Sequence, residues 1–448
     1  MIQDAINFYH DGLTDDIAAE ADRQLRTLLK QRGLYFGDRP VCVVLRPHFY
    51  FESDWAYLRR EMETLLQAFM ITHKACLADA KLREQLMLHE FEEEIITIDP
   101  DIVPWTSSRL DTFFLPESHT LNCVEYNAET PAGIGYGDIL SEVFLQLEPM
   151  QRFQERYTVT PMYGLDNLLN MILRAYQAWG GTQHPQIGIL DWHEVPTLNE
   201  HEICRDHFEK QGYPSILADP RQLDYRNGHL YSGDFRIDIV YKRVLVSELI
   251  DVMGLDNPIV RAARDHAVMV TNSFSAKLLA KKASLAFLSD ERNEHLFNHE
   301  QLASIRAHIP WTRVVRDRKT RYHDEQVDLV SFIADHRERF VLKPNDEYGG
   351  KGVVLGWESS SDGWEAALHQ ALNTPHVVQE RVPTVRRSFP AWIDDALDLE
   401  ERFVDAAPYV FYGESVSGCL TRLSSMALLN VTAGAGSVVP TLLINHKA

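Results

Sequence analysis

The stretch FVLKPNDEYGGKGVVLGW at 340–357 constrains this chain most, because it sets Gly349, Gly350, Lys351 and Gly352 in a turn between two strand-like runs. Glycines let backbone N–H groups approach an anion closely, and Lys343 and Lys351 supply the positive charge a polyphosphate requires. It is not a P-loop, since GK is followed by Gly352 rather than Ser or Thr and the returning element is a strand. It is not a dinucleotide-binding fingerprint either. Two readings remain: a flap covering a nucleotide triphosphate, or an ordinary hairpin with a flexible, charged tip.

A second feature lies far upstream. The runs RLDTFFL and CVEYNAETPAG, joined through the polar turn PESHT, read as two strands of a hairpin. Side chains alternate with period two, so Glu125 and Asn127 share a face, and the hairpin brings Asp111 beside them. Two carboxylates and an amide oxygen are hard ligands suited to magnesium. Glu129 is expected to continue that face, although a solvated strand face accounts for the same pattern. Arg109, two residues before Asp111, projects the same way; it would neutralise charge on a transferred phosphoryl group or simply pair with Asp111. Cys123 alternates onto the face of Glu125. It reads as a small strand residue rather than a nucleophile, because neighbouring carboxylates disfavour a thiolate.

Elsewhere the first 95 residues look mainly helical, with Leu58, Met62, Leu65, Leu66 and Phe69 at three-to-four spacing and one short strand at 40–45. Residues 186–251 read as a small α/β unit with a parallel sheet. Its strand IDIVYKRV ends on Tyr241 and Arg243, where ligands often sit, so Arg243 would bind a substrate carboxylate or make an interdomain salt bridge. Helices are expected at 278–288 and 300–307, and a strand at HVVQERV. The run SSSDG at 359–363 and the pair Arg386 and Arg387 look like solvated turns. The uncharged stretch from Leu423, broken by Asn430, Gly434, Gly436 and Pro440, reads as strand, glycine loop and strand rather than a membrane span.

The balance of 44 Lys and Arg against 65 Asp and Glu, a net charge of -21, argues against non-specific binding to nucleic acid or anionic membranes. The five cysteines show no CxxC pair, and the 19 histidines show no HExxH motif. Neither a disulfide framework nor a zinc site is therefore expected. The acidic N-terminus does not look like a secretion signal, so a cytoplasmic protein is the expectation. Oligomeric state is not readable from the sequence.

In this order the motifs resemble those of the circularly permuted ATP-grasp proteins, the group that includes the synthetase half of glutathionylspermidine synthase. VEYNAETPAG resembles that family's E-x-N-x-x-T-P-like motif. FVLKPNDEYGGKGVVLG resembles its late lysine-bearing flap, NSFSAKLLAKKASLAFLSD its nucleotide-contacting helix, and HVVQERV its adenine hinge. The resemblance implies an α/β (α+β) fold of ATP-grasp architecture, circularly permuted, with a Rossmann-like pre-ATP-grasp subdomain. It divides the chain into 1–165, a helical region plus the metal-binding hairpin; 166–270, the α/β subdomain; and 271–448, the nucleotide lid and remaining core. By the same resemblance ATP and Mg2+ are the cofactors, with Asp111, Glu125 and Asn127 holding magnesium and Lys282 and Lys343 on the phosphates. Gly349, Gly350 and Lys351 would form the flap, Gln379, Glu380 and Val382 the adenine hinge, and Arg109 would stabilise the transferring phosphoryl group. Arg422 and Asn430, in the closing segment, would line the site, with Arg422 on the substrate. The implied activity is an ATP-dependent carboxylate–amine ligase working through an acyl phosphate on small-molecule or peptide substrates. A nucleotide-binding regulatory protein without turnover, or a phosphotransferase, remains the alternative. Residues 1–95 match none of these motifs and read as a specificity region or scaffold.

Overall fold

The acidic hairpin forms as its alternation requires, with Ser107–Leu115 and Thr120–Asn127 antiparallel around a turn of 3-10 helix at Pro116–Ser118. In this computed structural model, which describes residues 2–98, 103–426 and 436–447, the hairpin closes one end of a large sheet. Next to it come Ala407–Phe411, Ser415–Ser424, Ala396–Val404 and Val385–Ile393. Gly436–His446 pairs with Ser415–Ser424, and also with His48–Phe51 in parallel and Tyr157–Pro161 antiparallel. Strands from both ends of the chain thus complete one nine-stranded sheet.

Helices cover this sheet for the reason their apolar spacing gives. Leu58, Met62, Leu65, Leu66 and Phe69 of helix Glu52–Ala78 are buried and join Leu110, Leu121 and Tyr126 in one core. Leu140, Val143 and Phe144 of helix Ile134–Gln146 join Val439 and Leu442 in a second core. The strand expected at 40–45 is not found. Val41, Cys42, Val44 and Leu45 are buried there, but the segment makes single backbone bonds to Leu34, Pro390 and Val438 instead of a ladder. Burial alone selects β-branched residues here, and the strand lies just beyond, at His48–Phe51.

The α/β unit has four parallel strands in the spatial order Met269–Thr271, Ile239–Lys242, Ile187–Leu190, Ser215–Ala218. Its residues alternate between two cores, Ile187 and Ile189 on one side and Leu190 and Val240 on the other, as period two demands. A small antiparallel sheet, Leu223–Arg226, His229–Ser232 and Phe235–Ile237, flanks it.

The third unit is a four-stranded antiparallel sheet of Thr312–Val314, His376–Glu380, Phe340–Pro344 and Val354–Leu355, with helix Ser361–Asn373 packed on it through Trp364 and Leu368. Three expectations need correcting. The run at 359–363 is exposed from Ser360 onward, as expected, but it starts a helix rather than a turn: Ser360 caps that helix by accepting from the Gly363 N–H at 3.1 Å. Arg386 and Arg387 lie in strand Val385–Ile393, where Arg387 pairs with Glu117. The helix expected over 278–288 is split into Lys277–Ala280 and Ala283–Ser289. Asn345 makes the break, accepting from the Lys282 N–H on its carbonyl at 3.0 Å and from the Ala283 N–H on its side chain at 2.9 Å. Of the stretch from Leu423, both strands are present, while the glycine loop and Asn430 lie outside the described residues. Among the described residues no helix is long and apolar enough to cross a membrane.

Candidate functional site

The three units meet around a cavity of about 760 Å³. Arg109, Asp111, Glu125 and Asn127 line it from the hairpin, Lys282 from the helix break, and Lys343, Gly349 and Gly350 from the flap. Gln379, Glu380 and Val382 line it from the end of strand His376–Glu380 and just beyond, Arg422 from the central sheet and Arg243 from the α/β unit. Lys351 is not part of this lining. Its side chain is largely exposed and pairs with Glu347 at 3.2 Å on the flap itself.

Within the hairpin Arg109 stands opposite Asn127 and Asp111 opposite Glu125, so all four side chains face the cavity. The next pair is Thr112 with Cys123, which leaves Val124 as an extra residue, a β-bulge. The bulge breaks the alternation and corrects the expectation for Cys123. Its thiol is turned into the core with Leu121 and Tyr126, where burial pushes its pKa far up. Glu129 lines the same cavity but is held by a different set of partners. It lies beyond the strand, buried, accepting from the Val246 N–H at 2.6 Å and pairing with Lys277 at 3.1 Å and Lys242 at 3.4 Å. Burial would raise its pKa, but the two ammonium groups and that N–H hold it at about 2.

Charges in the cavity are paired across elements. Asp111 accepts from Arg109 Nε at 2.8 Å and from Arg422 Nη2 at 2.6 Å, and Arg422 also bridges to Asp405. Although burial disfavours its charge, the two guanidinium groups hold the Asp111 pKa at about 2. Glu125 Oε1 lies 2.9 Å from Lys282 Nζ, which also donates to the Glu347 carbonyl of the flap. Lys343 Nζ donates to the Val124 carbonyl at 3.1 Å and to Gln379 Oε1 at 2.7 Å. Burial lowers its pKa to about 8, partly offset by Glu125.

Asn127 carries a buried Nδ2 with no hydrogen-bond partner. Flipping the amide would present its oxygen there instead. With the Glu125 carboxylate beside it, this donor set suits a hard cation such as magnesium. Among the described residues no group of three or more His, Cys, Asp or Glu side chains has metal-binding geometry.

Sequence reasoning missed a buried network beneath the flap. Lys277 pairs with Asp346 at 2.7 Å, with Glu129, and with Glu92 at 3.7 Å, and Lys281 bridges Glu92 at 2.8 Å and Asp346 at 2.9 Å. The signal was present as three lysines, 277, 281 and 282, in an otherwise apolar run. Asp191 was missed as well. It follows strand Ile187–Leu190, lines the cavity, and burial raises its pKa to about 6 against the pull of Arg243.

No family model matches the chain. A protein of Frankia casuarinae provisionally named glutamate–cysteine ligase 2-2 is 25% identical over 442 residues, covering 91% of this chain and 48% of its own length. The chain therefore spans about half of that relative. An uncharacterised protein of Mycobacterium leprae is 21% identical over 467 residues, covering 97% of this chain and 78% of its own. Among solved structures, a glutathione synthetase-like effector from Globodera pallida superposes with a TM-score of 0.59 at 12% identity, covering 96% of this chain and 98% of the effector. The chain thus has a mixed α/β fold of the glutathione synthetase-like kind.

Proposed function

We propose that this protein is an ATP-dependent carboxylate–amine ligase of circularly permuted ATP-grasp architecture, with the parallel α/β unit as its Rossmann-like pre-ATP-grasp subdomain. The observation that carries the reading is convergence. The Lys343 ammonium of the flap strand donates to the Val124 carbonyl of the acidic hairpin, 219 positions away. Lys282 likewise joins Glu125 to the flap backbone. An anion in the cavity would thus be held between two cationic elements, the requirement that phosphoryl transfer places on a protein.

On this reading the adenine lies against the segment of Gln379, Glu380 and Val382, and Lys282 and Lys343 hold the phosphates. Magnesium, held by Glu125 and Asn127 with Asp111 behind them, would neutralise phosphate charge. Arg109 and Arg422, both fixed by Asp111, face the γ-phosphoryl group. A substrate carboxylate oxygen bonds to the γ-phosphorus as the bond to ADP breaks. An amine nitrogen then bonds to the carbonyl carbon of the acyl phosphate, phosphate departs with the electron pair, and the amine proton passes to a base. Exclusion of water by the flap protects the acyl phosphate from hydrolysis. The name of the Frankia casuarinae relative accords with a ligase.

The test is ADP release with magnesium and ATP, measured with pools of carboxylates and amines. Release that requires both pools is the expected result. Phosphorylation that proceeds without amine would make the protein a phosphotransferase, and nucleotide binding without any turnover would make it a regulator.

A further inference from the structure

The cavity lining includes residues to which the nucleotide reading gives no task. Phe36, Tyr136 and Pro196 line it as an apolar group, and Arg243 and Asp191 line the same cavity. The apolar group is fixed in place. The Gly37 N–H donates to the Pro196 carbonyl at 3.0 Å, and the Tyr35 carbonyl accepts from Tyr136 Oη at 2.7 Å and Asn199 Nδ2 at 3.0 Å. A short hairpin from the first 95 residues, Tyr35–Phe36 with Arg39–Pro40, is thereby docked on the α/β unit.

The two charged groups sit side by side for a topological reason. Leu190 and Lys242 are register partners on adjacent parallel strands, so the residues that follow them, Asp191 and Arg243, emerge together at the carboxyl edge. Here the chain winds outward to opposite sides, since Ser215–Ala218 lies on one flank and Met269–Thr271 on the other. Ligands of open α/β sheets bind at such a switch point. Arg243 is 7% exposed and donates to the Thr130 carbonyl at 3.3 Å and the Tyr241 hydroxyl at 3.4 Å, while the carboxylates of Asp191 and Glu200 act on it at longer range. A buried, cavity-lining guanidinium whose hydrogen bonds go only to neutral oxygens keeps donor capacity for an incoming carboxylate, and Asp191 beside it offers a partner to an ammonium.

We infer that this part of the cavity binds an amino acid with an apolar side chain, its carboxylate on Arg243, its ammonium on Asp191, and its side chain against Phe36, Tyr136 and Pro196. The inference rests on the ligase reading for the neighbouring nucleotide site. It gives the N-terminal hairpin the task of selecting the substrate. These apolar residues offer no positive charge to a side-chain carboxylate, so an acidic amino acid is disfavoured.

Calorimetric titration of the full chain, with magnesium and a non-hydrolysable ATP analogue present, tests this with L-phenylalanine, L-leucine and L-glutamate as probes. L-phenylalanine and L-leucine are expected to bind, and L-glutamate on the order of tenfold more weakly or worse. Phenethylamine, which lacks the carboxylate, and phenylpropionate, which lacks the ammonium, should each bind on the order of tenfold more weakly than L-phenylalanine. Phe36→Ala should weaken L-phenylalanine by about tenfold and leave the nucleotide analogue unaffected. Equal or tighter binding of L-glutamate, no amino-acid binding at all, or indifference to Phe36→Ala would overturn the inference while leaving the ligase reading standing. Failure of the wild-type chain to bind the analogue would overturn that reading and this one with it.

Discussion

Lys343 shows how one side chain can report on the whole site. Its side chain is half-buried and its ammonium donates only to neutral oxygens, so desolvation lowers its pKa from 10.5 to about 8 despite the charge of Glu125 nearby. Because the folded value lies below the unfolded one, the free protein gains stability as pH rises through that interval. A bound triphosphate favours the charged form, so nucleotide affinity should move the other way. Thermal shift by ATP is expected to shrink as pH rises through about 8, and to be largely lost in Lys343→Ala at every pH. An unchanged ATP shift in that variant would remove Lys343 from the site. Glu125→Gln keeps the shape of the side chain but weakens the tie to Lys282 and the hold on a cation. It should leave the melting temperature within a few degrees of wild type while suppressing magnesium-dependent turnover; full activity at the wild-type magnesium requirement would rule out its metal role.

At the scale of elements, the flap owes its path to glycine. Gly349, Gly350 and Gly352 have φ of 62°, 74° and 71°, in the left-handed region that other residues enter at a cost. At Gly352 a Cβ would also lie 2.7 Å from Pro344 Cγ, on the strand that carries Lys343. Gly352→Ala should therefore destabilise by about 1–2 kcal/mol and weaken nucleotide binding. Chemical denaturation with ATP titration checks both, and an unaltered nucleotide affinity would separate the flap from the site. The helix break at Lys281 and Lys282 is the complementary device. Asn345, at the root of the flap, ties the break to the start of the second helix, so the flap and Lys282 are set by a single residue.

At the scale of the molecule, Glu92, Glu129, Lys242, Lys277, Lys281 and Asp346 link the N-terminal helices, the loop after the hairpin, the α/β unit and the flap through buried ion pairs. Removing one member strands the others, which costs about 3–5 kcal/mol for a buried pair. Lys277→Met should fall in that range in a denaturant titration, whereas loss below about 1 kcal/mol would show the network to be dispensable. Glu129 and Asp111 have folded pKa values of about 2, below their unfolded values of 4.5 and 3.8. The stability they contribute is complete above those unfolded values and is lost as pH falls toward about 2. Unfolding in acid should therefore begin below about 4.5 and shift toward neutral pH in Lys277→Met.

Local physics was legible in the chain itself. Period-two alternation marked the hairpin carrying Asp111 and Glu125, three-to-four spacing marked helix Glu52–Ala78, and glycine marked the flap, because each depends on residues adjacent in sequence. The bulge at Val124 that turns Cys123 inward was not legible, because register belongs to the pair of strands and not to either one. The same holds for Asn345 breaking a helix more than sixty positions upstream, and for Phe36 reaching the cavity through Pro196. The sequence by itself determined which side chains could hold a phosphate or a cation. Only the tertiary structure decided which of them share a cavity, since burial and charge pairing arise between segments distant along the chain.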